Sequence, residues 1–95
     1  MAGAVVFGED SVPHLPRGVR LKFDTPRDQW VLLAPERMFV LDEIAHEIIK
    51  CCDGEANVAA IVDDLSGRFE APRDAVAKDV IALLQDFADK GVMDA

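Results

Sequence analysis

Apolar and polar residues alternate from Val19 to Asp24, with Val19, Leu21 and Phe23 set against Arg20, Lys22 and Asp24. A period of two over residues 18–24 predicts a strand with one wet face. Thr25-Pro26-Arg27-Asp28-Gln29 has the composition of a turn. The next run, Trp30–Ala34, is apolar at every position, so it predicts a middle strand that pairs back as a hairpin and is flanked on both sides. Pro35 lacks the N–H a ladder needs and ends that strand. Arg37–Leu41 is the third strand. A meander in this order leaves the first and third strands as edges, the third being short.

The period changes at Leu41. Apolar residues now fall at Leu41, Ile44, Ala45, Ile48 and Cys52, the spacing of a helix face. Asp42 is placed as N-cap, Glu43 stands in the first turn, Lys50 near the end and Gly54 just beyond. A second helix starts from Asn57 as N-cap, with Val58, Ile61, Leu65 and Phe69 on its buried stripe and Val62 beside it. The third starts at Pro72, which suits a first helical position, runs to about Lys90 and stops at Gly91. The predicted architecture is α+β and winged-helix-like: a three-stranded antiparallel sheet followed by three α-helices. Residues 17–95 form a single domain. Residues 1–16 carry little pattern and read as a flexible tail, with Val5-Val6-Phe7 available to dock.

In the third helix Val76, Val80, Leu83 and Phe87 form a narrow stripe at about 100° per residue, with Leu84 at its margin. Ala77, Ile81 and Ala88 widen the apolar arc until Asp74 and Gln85 end it. An arc that wide exceeds one buried face. Either a second element covers the extra flank, or the flank is the wall of an apolar groove, with Ile81 between two alanines where another chain could approach.

Composition narrows the function. With 95 residues, about half of them apolar and 29% charged, the chain makes one folded domain. No apolar run reaches the roughly 20 residues of a membrane helix, and the first residues lack the basic and apolar regions of a signal peptide. The expected location is cytoplasmic. Adjacent Cys51 and Cys52 in a helical pattern read as reduced thiols. Residues 1–40 carry five basic and five acidic side chains, so the formal charge of −8 belongs to the remainder. Such a surface repels phosphate backbones, which argues against a DNA-reading third helix. His14 and His46 read as solvated histidines, and Asp63-Asp64 and Asp86/Asp89 as a wet acidic face. With no tyrosine, no nucleophile motif and no glycine-rich phosphate loop, no catalytic constellation is expected. Protein or peptide recognition remains: an exposed strand edge accepts an extended peptide as an extra strand, and neighbouring apolar grooves select its side chains.

The segments RGVRLKFDTPRDQWVLLAPERMFVLDEIAHEIIKCCDGEANVAAIVDDL and DVIALLQDFADKGVM resemble the pyrroloquinoline quinone biosynthesis protein D (PqqD) family. The most specific pieces are RLKFD, QWVLLAPER, the CDG after the first helix and the DV of the third. The resemblance spans about Pro16 to Met93 and leaves the tail unmatched. It implies a small peptide chaperone of the kind called a RiPP recognition element, without cofactor or metal and binding no quinone. Its partners would be the precursor peptide of pyrroloquinoline quinone (PQQ) and the radical S-adenosylmethionine (SAM) enzyme that crosslinks a glutamate and a tyrosine of that peptide. No nucleic acid or membrane partner is implied. In such domains the peptide adds to the third strand, in the cleft facing the third helix. The matching strand positions are Arg37, Met38, Phe39, Val40 and Leu41. The arc described above supplies the expected helix positions: Ala77, Ile81, Leu84, Gln85 and Ala88. Arg37 is the nearest partner for a peptide carboxylate, unless it is simply solvated beside Glu36. Strands and helices form separate blocks, so a monomer or a weak or domain-swapped dimer is expected. Some family members are fused to another pathway enzyme. An acidic winged-helix regulator and a structural adaptor that never touches the peptide stand as alternatives.

Overall fold

The structure, a computed structural model, describes residues 6–95. Strands β1 (Arg20–Asp24), β2 (Gln29–Ala34) and β3 (Arg37–Leu41) precede helices α1 (Glu43–Ile49), α2 (Val58–Phe69) and α3 (Arg73–Asp89). The sheet is antiparallel in the order β1-β2-β3. This is the α+β meander expected from the alternation, with the doubly apolar run in the middle.

The turns fix the register. Between β2 and β3 the chain reverses over Pro35 and Glu36, and the strands close on Ala34 opposite Arg37. Pro35 brings the fixed negative φ of a first turn position, and Glu36 takes the positive second one, at φ 63°. The longer β1–β2 connection closes on Asp24 opposite Gln29, with Asp28 at φ 54° and an Arg27–Asp24 ion pair of 2.8 Å across the loop. Given this register, Leu21, Phe23, Trp30, Leu32, Ala34, Phe39 and Leu41 share one face. The helices pack on that face. Phe39 meets Phe87 of α3 at 5.8 Å between ring centroids, and Trp30 stacks on His46 of α1 at 4.3 Å, with Phe23 edge-on to Trp30. Leu32, Val58, Val62 and Leu84 are fully buried at the centre of this core.

α1 and α2 start from the N-caps the sequence suggests, whereas Pro72, expected as the first residue of α3, is its N-cap and gives no side-chain cap. The Ala45 N–H donates to the Asp42 carboxylate at 2.7 Å, and the Ala60 N–H to the Asn57 side chain at 2.8 Å. α3 ends in a Schellman motif: Val92 N–H donates to the Phe87 carbonyl at 2.9 Å and Gly91 N–H to the Ala88 carbonyl at 3.0 Å, with Gly91 at φ 80°. Val92 and Met93 then turn back into the core.

Two stripe positions differ from expectation. Ile44 is exposed, because α1 buries Ala45, Ile48 and Ile49 instead. The helix also stops before Cys52, where Cys51 and Cys52 donate to carbonyls three residues back in a tightened last turn. Cys52 is still buried, and that burial pushes its thiol pKa up to about 12; partial burial also raises that of Cys51, and both are free thiols. Phe69 is exposed at the very end of α2, where Glu70 adopts a left-handed conformation and turns the chain away.

The expected tail is also different. Val5 lies outside the described residues, but Phe7 is buried in the core cluster. From there the segment runs bonded to the helices. Its Glu9 and Ser11 carbonyls accept the Ala59 and Val58 N–H groups at 3.0 and 2.8 Å, which relieves two donors that the first turn of α2 leaves without helical partners. His14 pairs both ways with Asp94 at 2.9 Å, and the Pro13 carbonyl accepts from Gly54. The Glu9 carboxylate takes hydrogen bonds from Arg73, and these hold it below the usual carboxylate range. The signal for this packing is aperiodic, spread over single carbonyls, and so is invisible to a search for helix or strand spacing. Phe7→Ala should cost about 3 kcal/mol of folding stability in urea denaturation, whereas a loose tail would register almost nothing.

Candidate functional site

A strand at the edge of a sheet offers whichever backbone groups its neighbour does not use. β3 pairs with β2 and with no other strand among the described residues. The two-residue turn makes Ala34–Arg37 a hydrogen-bonded pair, and pairs of that kind recur at every second position. Phe39 with Leu32 and Leu41 with Trp30 are therefore also bonded pairs. The N–H and C=O groups of Met38 and Val40 consequently point away from β2, into the open edge.

Beside that edge lies α3, and it has two working flanks. One carries Phe87 and Lys90, whose ammonium stands 5.8 Å from the centroids of both Phe39 and Phe87. Leu83, one turn earlier and half-buried, continues this flank. Further toward the start of α3, the flank meets α1 and the end of α2 around a cavity of about 140 Å³ lined by Ile44, Phe69, Val76, Asp79 and Val80, among others. Arg37 near Gly91 and Phe39 against Phe87 thus set β3 beside the end of α3, while the cavity beside Ile44 lies between the helices. Arg37 lies 5.6 Å from the Phe39 ring centroid and forms no ion pair with Glu36 or any other described carboxylate.

The opposite flank carries the helix positions expected from the arc, and one of them, Leu84, is corrected by its complete burial. Arg73, Ala77, Ile81 and Gln85 follow one another at intervals of four and so form one row. Both ends of this row are tied to the N-terminal segment: Arg73 by Glu9, and Gln85 by the Phe7 N–H at 3.2 Å. Ala77, Ile81 and Ala88 are half-buried against the core, and Leu84 is completely buried within it. The second element that the wide arc called for is the N-terminal segment. On the flank toward β3, Phe87 is buried as the stripe predicted, and Val76 and Leu83 are half-buried against the core; what the sequence reading missed is that Phe39 packs on Phe87. The signal available was the parity of β3: Phe39 shares its face with buried Leu41, so it must point toward α3.

The fold and site together define a peptide-recognition module, a three-stranded sheet whose β3 edge pairs with no further strand among the described residues. The chain belongs to the PqqD family: residues 29–93 match the family model "Coenzyme PQQ synthesis protein D". It is 55% identical over 85 residues to a PqqA binding protein of Rhodopseudomonas palustris strain TIE-1, covering 90% of this chain and 83% of that one. Against a PqqA binding protein of Bradyrhizobium diazoefficiens the identity is 48% over 95 residues, covering 98% and 92%. Among solved structures, the chain resembles the PqqD truncation of Methylobacterium extorquens PqqCD, described as a functional, stand-alone RiPP recognition element. There the TM-score is 0.83 at 39% identity, with both chains fully covered. No helix among the described residues is long and apolar enough to cross a membrane.

The two flanks of the site make different demands on stability. Ile81→Ala, on the flank tied to the N-terminal segment, should lower folding stability by about 2 kcal/mol. Met38→Ala, on the exposed side of β3, should change it by less than about 0.5 kcal/mol. Urea denaturation of both variants checks the assignment.

Proposed function

We propose that this chain is a peptide chaperone of PQQ biosynthesis. It binds the ribosomal precursor peptide as a fourth strand along β3 and presents it to the radical SAM enzyme that joins a glutamate and a tyrosine of the peptide. The observation that carries this reading is the pair of outward-facing backbone units, Met38 and Val40, on the open edge of a strand whose Phe39 packs on α3. Main-chain hydrogen bonds to those units supply sequence-independent affinity, and the side chains toward α3 supply selection. A guest strand places the side chains opposite Arg37, Phe39 and Leu41 toward α3, where half-buried Phe39 and Leu83 offer apolar contact. Arg37, without an ion-pair partner, suits a guest carboxylate.

The chemistry required is binding alone. The relatives named PqqA binding protein and the likeness to a RiPP recognition element support that assignment. Use of α3 as a DNA-reading helix is disfavoured by Asp74, Asp79, Asp86 and Asp89 on its exposed surface.

Val40→Pro removes an N–H that β2 does not use. The variant should fold and should bind the precursor peptide about tenfold more weakly. Phe39→Pro removes the N–H bonded to Leu32 and should instead destabilise the hairpin itself. Titration calorimetry beside a thermal melt separates the two. Undiminished peptide affinity in a folded Val40→Pro protein would sink strand addition at this edge.

A further inference from the structure

α3 packs chiefly on α2 and meets the sheet where Phe87 stands against Phe39. Residues 7–14 tie this helix pair at several points. The Phe7 N–H donates to the Gln85 side chain at 3.2 Å, late in α3, and the Phe7 ring is buried in the core. Arg73, at the start of α3, donates to the Glu9 carboxylate at 2.9 Å and also to Asp63 of α2. His14 and Asp94, the latter just beyond α3, exchange backbone hydrogen bonds of 2.9 Å. From fully buried Pro13 the chain continues through half-buried Leu15 and Val19 into β1.

These ties bear on the guest site, because that site is divided. Its backbone groups belong to β3, and part of its side-chain surface belongs to α3. The two halves fit a guest only while α3 keeps its distance from β3. On the guest's side that distance rests on the contact between two rings. On the far side it rests on a segment that holds α3 near both ends and runs on into β1. Undocking this segment is a local event. It exposes Phe7 and frees the N–H groups of Val58 and Ala59, which donate to the Ser11 and Glu9 carbonyls, while the strands stay paired.

Resting on the peptide-chaperone reading above, we infer that residues 7–14 are a positioning strap, and that guest affinity depends on its docking through the placement of α3. Phe7 is the positioning residue: it is buried behind α3, out of reach of a guest on β3. The docked strap and the bound guest stabilise the same placement of α3, so the two are linked. By reciprocity, the factor by which docking raises guest affinity equals the factor by which the guest favours docking. The strap therefore does more than add stability to the fold. It sets the fraction of molecules whose β3 and α3 are spaced to take a guest.

The test uses the full chain as wild type, Phe7→Ala, Phe7→Leu and Leu21→Ala, the last a change against the core from β1, which β2 separates from β3. Thermal melts set a temperature at which each variant is folded, and titration calorimetry there gives its affinity for the precursor peptide. Phe7→Ala should bind about tenfold more weakly, the factor expected when the docked fraction falls to about one tenth. Phe7→Leu, which keeps an apolar anchor, should stay within about twofold of wild type, as should Leu21→Ala. In wild type, saturation with the peptide should slow hydrogen exchange at the Val58 and Ala59 amides about tenfold, since these report strap opening from the start of α2. The inference is overturned if folded Phe7→Ala binds as wild type does, if Leu21→Ala weakens binding equally, or if the peptide leaves the Val58 and Ala59 amides unchanged. The exchange measurement uses wild type alone, so it decides the matter should Phe7→Ala fail to fold. Wild type that does not bind the peptide overturns the peptide-chaperone reading and this inference together. Wild type that binds while folded Phe7→Ala binds equally overturns the strap alone.

Discussion

The pairing of Ala34 with Arg37 across a two-residue turn is the constraint on which the rest of this molecule depends. Shifting that pairing by one residue would invert every side chain of β3. Phe39 would leave α3, Leu41 would leave the core, and the backbone groups of Phe39 rather than those of Met38 and Val40 would line the open edge. Two local features hold the register. Pro35 has its φ preset and no N–H to lose, and Glu36 accepts a positive φ that a β-branched residue would resist. The core then reinforces what the turn begins, because Leu32 and Leu41 can be buried in this alignment alone.

α3 works in the same economical way. One flank is joined to the N-terminal segment and the core, through Gln85, Ile81, Ala77 and Arg73. The other flank faces β3 and stays partly open. Anchoring on the far side holds the position of α3 without adding contacts on the flank toward β3. The Schellman ending at Gly91 serves the same purpose, since it directs Val92 and Met93 into the core and fixes the end of α3 beside Arg37.

Much of this was legible in the sequence, for physical reasons. Alternation is forced wherever a strand has one wet face, so the strands and the middle position of Trp30–Ala34 could be read directly. Asp42, Asn57 and Gly91 announced helix ends because few residues satisfy those backbone groups as well. The flank of α3 that faces β3 could not be read. A helical pattern gives the angles between side chains, but what lies opposite each angle is set by elements distant in sequence. Leu84 therefore looked marginal and is central, while Val76 and Leu83 looked central and are marginal. The role of Phe7–His14 was hidden for a related reason: it acts through carbonyl groups, which every residue has. Ile44 and Phe69 had helical spacing, but each sits where its helix begins or ends, beyond the reach of the covering layer.

Amide hydrogen exchange, followed residue by residue along β3 with and without the precursor peptide, tests the central claim most directly. In the free protein, the Phe39 and Leu41 amides should exchange slowly, because β2 already holds them, and those of Met38 and Val40 should exchange fast. Adding the peptide should slow Met38 and Val40 markedly and leave the β1 edge at Arg20–Asp24 unchanged. Protection that appears along β1, or along the Ala77–Gln85 flank of α3, with Met38 and Val40 still exchanging freely, would contradict the account.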